Sequence, residues 1–172
     1  YIALGIVHLS FLIALIFEQA NAWISIGVGL LTLLLLYVAY VSMPYKKLAR
    51  GWEDMAFIPC TVLGGVLTYY LQVEFELGTV VSAGLVGLAG SYIPDNKWIG
   101  NRFSTALYCG AFVGMTSSIV AGGLLFIFLA SWVAGLLLIG TKNIMVGYGG
   151  KLGSIAFGGV ALVSLVFFIM FK

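Results

Sequence analysis

Long apolar runs separated by short polar stretches make up this chain. Seven runs stand out: Tyr1–Phe17, Trp23–Val41, Met55–Leu71, Thr79–Ile93, Ser104–Ala121, Leu124–Ile139 and Ser154–Phe171. A bilayer core of about 30 Å takes about 20 apolar residues as helix. Lipid offers no partner to a free N–H or C=O, so a spanning segment is a helix or part of a closed barrel. Barrel strands alternate polar and apolar residues, whereas runs such as LLTLLLLYVAYV do not. The pattern predicts an all-α polytopic membrane protein, one helical-bundle domain over residues 1–172 with about seven transmembrane helices.

The stretch from Ser104 to Ile139 is apolar throughout. As one helix it would be about 54 Å long, too long for a single crossing. The preferred break is Ala121-Gly122-Gly123, which gives two spans and a tight turn. A break at Thr116 to Ser118 would leave the first piece short and re-entrant.

Charge placement orients the spans. Lys46, Lys47 and Arg50 follow span two, Lys97 and Arg102 follow span four, and Lys142 and Lys151 follow span six. The intervening loops carry Glu18, Glu74 and Glu76 with no Lys or Arg. Positive residues stay on the cytoplasmic side. The N-terminus is therefore expected inside and span seven ends outside. Trp23, Trp52 and Trp98 suit interfacial anchors. Lys151, Lys46, Lys47 and Arg50 are expected to meet lipid headgroups. The opening on Tyr1 inside an apolar run suggests that residues precede it.

Composition agrees with lipid as the solvent. The chain is 62% hydrophobic and 8% charged, against about 45–50% and 25% in soluble domains. The expected location is the cell (inner) membrane, and the expected partner is the bilayer, with a second copy or a partner subunit as a further option. A net charge of +2 without a basic stripe argues against nucleic acid. The basic loops recur at the interval of one helical hairpin, and Cys60–Ser82 repeats the spacing of Cys109–Ser131. This hints at hairpin repeats; an inverted pair of three-helix units is the rival arrangement.

Helices in lipid pack through small residues. Gly84, Gly87 and Gly90 on span four, Gly110 and Gly114 on span five, and Gly158 and Gly159 on span seven mark these spans as the expected packed centre.

No Asp, Glu, Lys or Arg falls in the middle of any run, which lowers the odds of a proton- or sodium-coupled carrier. Thr116, Ser117 and Ser118, with Ser82, Ser131 and His8, are the candidate lining of a solute path. Thr61, Thr68 and Tyr108 are further inward candidates. Cys60, Cys109 and His8 lie on three separate helices without a short-range motif, so neither a metal site nor a cofactor is expected. Glu53 and Asp54 fit an interfacial charge cluster with Lys46, Lys47 and Arg50, although they could ligate a metal ion for lipid-phosphate chemistry.

The glycine-rich stretch MVGYGGKLGS, Met145 to Ser154, resembles a phosphate loop only superficially. Leu152 follows Lys151 where Ser or Thr is needed, and no glycine opens the motif. It reads as a turn into span seven. The leading functional expectation is a channel or facilitator for a small neutral or anionic solute. The alternative is a non-catalytic membrane module: an anchor, a sensor input or an assembly subunit. A lipid-handling enzyme at the cytoplasmic face is third.

Overall fold

The computed structural model describes residues 5–6, 9, 13, 26–27, 30–34, 37–38, 41, 51–93, 102–144 and 150–170. Among these residues every regular element is helical. The described positions before residue 51 are helical and mostly exposed, with Leu30, Leu31, Leu34 and Tyr37 among them.

A 3-10 turn, Trp52–Ala56, leads into α1 (Phe57–Glu74). Then follow α2 (Thr79–Ser91), α3 (Arg102–Gly114), the single turn α4 (Ser118–Ala121), α5 (Leu124–Gly140) and α6 (Lys151–Met170). Two stretches, Asp54–Glu74 and Lys151–Met170, are long and apolar enough to cross a membrane. The helices α2, α3 and α5 are apolar but shorter. At 13 residues, α2 and α3 are each about 20 Å long.

The helices run alternately up and down. Gly64 and Thr68 of α1 lie against Leu107 and Gly114 of α3, so these two run parallel. On α5, Ser131 meets Gly65 and Gly135 meets Ile58, an antiparallel register against α1. The rings of Phe126 and Phe167 pack edge to face at 5.6 Å, and Ala130 meets Gly159, so α6 is antiparallel to α5. Gly87 and Gly90 of α2 press on Tyr108 and Leu107, antiparallel to α3. Arg102, Lys142 and Lys151 therefore stand at one end of the bundle, and Glu74 and Glu76 at the other.

Small residues determine which helices come closest. A Cβ at Gly110 would overlap the carbonyl of Thr61, and one at Gly64 would overlap the carbonyl of Leu107. A Cβ at Gly114 would strike Thr68 and the carbonyl of Gly65. The backbones of α1 and α3 thus touch, and α5 closes on the same crossing. Gly159 sits on the Ala130 carbonyl, and Gly158 is buried beside it in sequence. Gly84 has nothing within 4 Å of its Cβ position. The centre of the described bundle is accordingly α1, α3 and α5, not the expected grouping around the glycines of runs four, five and seven, and α2 packs at the side on α3 and α1.

The apolar stretch after Ser104 does not remain helical to Ala121. Helix α3 stops at Gly114, residues 115–117 are irregular, and a four-residue turn precedes α5. Both suspected breaks are present. Ser and Thr hydroxyls compete for backbone partners and so end helices. Thr116 Oγ1 donates to the Val113 carbonyl at 2.7 Å, and Ser117 is the N-cap residue of α4. Gly122, at φ 61°, provides the left-handed turn that closes α4.

Candidate functional site

The most informative surface of the bundle is the inward face of α1. A helix turns about 100° per residue. Thr61, Gly65, Thr68 and Gln72 therefore fall within an arc of about 60° on one side of α1. Thr61 and Thr68 are fully buried. Thr61 Oγ1 donates to the Phe57 carbonyl, the usual refuge of a helical hydroxyl. Thr68 Oγ1 has no hydrogen-bond partner among the described residues, nor has the buried Oε1 of Gln72. Ser131 Oγ of α5, also fully buried and unpartnered, presses on Gly65 between these positions. A file of oxygens thus follows α1: Thr61, Ser131, Thr68, Gln72.

This file meets the end of α3. Gly114 touches Thr68, so α3 stops while α1 continues about 9 Å further to Glu74. Met115 N–H and Thr116 N–H close the helix on Phe112 O and Val113 O, at 3.3 and 3.1 Å. A cleft of about 300 Å³ opens between α3 and α6 at the same break. Phe112, Met115 and Thr116 line one wall; Gly153, Ala156, Phe157 and Val160 line the other. Only Thr116 offers it a side-chain polar atom.

The basic end carries a second polar group. Lys142 Nζ binds both carboxylate oxygens of Asp54, at 2.7 and 2.9 Å, with the side chains 9% and 3% exposed. Gly51 N–H also donates to Asp54 Oδ2, at 3.2 Å. Lys151 Nζ donates to the carbonyls of Thr141 and Lys142, at 2.8 and 3.4 Å. A cation there complements the free carbonyls at the end of α5. The start of α1, the end of α5 and the start of α6 are tied together by these contacts.

The residues expected to form a path are dispersed. Ser117 and Ser118 are exposed, and Thr116 half-buried, on the turn after α3. Ser82 is buried on α2, its hydroxyl 3.4 Å from the Leu77 carbonyl. Among the described candidates Ser131 lies on the α1 file together with the further inward candidates Thr61 and Thr68, whereas Tyr108 is exposed. His8, Lys46, Lys47 and Arg50 lie outside the described residues, as do Met145 to Gly149. Lys151, expected to meet a lipid headgroup, directs its ammonium to the carbonyls closing α5. Asp54, expected in an interfacial charge cluster with Lys46, Lys47 and Arg50, is instead buried against Lys142. Cys60 and Cys109 are buried free thiols. Among the described residues no three His, Cys, Asp or Glu side chains gather as metal ligands.

Gln72 escaped sequence reasoning because it stands one residue beyond the apolar run that ends at Leu71, whereas the helix continues to Glu74. Its spacing from Thr61 and Thr68 was the available signal. No family model, curated protein or solved structure matches the chain.

Proposed function

We propose that the protein is an integral membrane bundle of about seven spans, with its basic end cytoplasmic, and that it passes a small solute along the inward face of α1. The membrane reading is supported by where apolar side chains sit. The buried positions are largely small or hydroxylic: Ala106, Ala111, Ala130, Ala134, Thr61 and Ser131. Phe126, Ile127, Leu138 and Ile155 are buried as well, but many large ones face outward, among them Leu67, Leu88, Leu125, Leu165, Phe168 and Ile169. Such a surface suits lipid as solvent and close helix contact through small residues. The opposite charge of the two ends fits an inside-positive orientation.

One observation carries the transport reading: three unpartnered buried oxygens lie along α1, beside a helix that ends within the bundle. A buried polar group without a partner costs about 1–3 kcal/mol, and a transient partner in a path would supply the missing bond. Interrupted helices recur at solute sites in membrane carriers. Purified protein in liposomes should pass at least one small uncharged solute faster than protein-free vesicles.

The non-catalytic module is the second reading. The backbone contact of α1 with α3, and the Asp54–Lys142 tie, favour it because they close the bundle. No flux across a broad solute panel, together with a stoichiometric co-purifying subunit, would replace the transport reading with this one.

A further inference from the structure

The three unpartnered oxygens define a ligand class. We infer that Thr68 Oγ1, Ser131 Oγ and Gln72 Oε1 hold a file of water-sized, neutral hydrogen-bond donors, either water or ammonia. This deepens the transport reading and rests on it. Gln72 Oε1 only accepts hydrogen bonds, whereas the two hydroxyls donate and accept. A ligand that brings a donor can therefore meet all three.

It must also be neutral. From Phe57 to Val73, from Phe103 to Gly114 and from Leu124 to Gly140, the three helices around the file contain no Asp, Glu, Lys, Arg or His. Asp54, below it, is already matched by Lys142. An ion on the file would be buried without a countercharge, which is strongly unfavourable.

Size follows from the glycines. Ser131 Oγ already occupies the space a Cβ at Gly65 would need, and Gly110 and Gly114 rest on the backbone of α1. The steps from Gly65 to Thr68 and from Thr68 to Gln72 rise about 4.5 and 6 Å. Two hydrogen bonds through one water reach about 5–6 Å. A single water-sized donor therefore matches the length of each step.

Proteoliposomes test this with separate arms. Osmotic shrinkage reads water, internal alkalinisation reads ammonia, and glycerol uptake is the size control. Water or ammonia should move well above the protein-free rate while glycerol does not. Thr68→Val, which keeps the shape and removes the hydroxyl, should slow the flux about fivefold or more, and Thr68→Ser should keep it. Glycerol passing as fast as water, or Thr68→Val without effect, would overturn the assignment. An independent readout is Thr68→Cys with Cys60 and Cys109 changed to alanine. Reaction with a small thiosulfonate reagent, but no water or ammonia flux, would overturn the ligand class and leave the path standing. No reaction and no flux of any solute would remove the path itself.

Discussion

Lys142 grips both oxygens of the Asp54 carboxylate across 88 residues of sequence, with both side chains nearly excluded from solvent. The pair joins the turn before α1 to the residues just after α5. Removing one partner leaves the other charge buried and unmatched, which costs about 3–5 kcal/mol. Lys142→Met and Asp54→Asn should each lower the thermal midpoint in detergent sharply. The double variant Asp54→Asn/Lys142→Met should recover part of the loss, because neither charge is then stranded. Equal loss in the double and single variants would show that the pair does not act as a unit.

Two glycine sites should respond in opposite directions to one added methyl. At Gly110 a Cβ would overlap the Thr61 carbonyl, a backbone atom that cannot swing aside. Gly110→Ala should push α3 off α1 and cost at least about 2 kcal/mol, comparable to severe overpacking. Gly84 lies within α2 with open space at its Cβ position. Gly84→Ala should stabilise by about 0.5–1 kcal/mol, since glycine in a helix is unfavourable relative to alanine. Thermal unfolding of both variants under one detergent condition checks the sign of each.

The helical runs and the charge alternation were legible because each depends on local composition. Runs near residues 57–74, 79–91, 124–140 and 151–170 needed only apolar length and bounding polar residues. The early end of α3 was half legible. The hydroxyls of Thr116 to Ser118 were visible, but apolar length alone carried the expected helix on to Ala121. What sequence could not order was which glycines touch: Gly84 and Gly110 sit in similar glycine patterns, and only the tertiary register separates them. The Asp54–Lys142 pair was hidden for the same reason, since nothing local links two charges on different loops. Cys109 illustrates the limit again: its thiol reaches the Leu152 carbonyl at 3.7 Å, on a helix far along the chain.

The turn between α1 and α2 places Glu76 at φ 52°, a left-handed conformation that a glutamate side chain resists. Glycine adopts it freely. Glu76→Gly should therefore stabilise by up to about 1 kcal/mol, the balance of relieved strain against added freedom in the unfolded chain. Glu76→Ala keeps the strain while removing the charge and should not share the gain. A rise in thermal midpoint common to both would assign the effect to charge instead.

Ser131 separates a structural role from a path. Its hydroxyl is fully buried, pressed on Gly65 and without a partner. A group that only packs would be replaced by alanine at little cost. Removing an unsatisfied buried hydroxyl should raise stability, by about 1 kcal/mol. If Ser131 also contacts the moving solute, Ser131→Ala should slow flux while the protein becomes more stable, the usual sign of a site kept for function at the expense of stability. Parallel measurements of thermal midpoint and liposome flux decide this. A stability gain with unchanged flux would assign Ser131 to packing and shift the path away from α5. A stability loss would mean that the hydroxyl has a partner in the membrane-embedded protein.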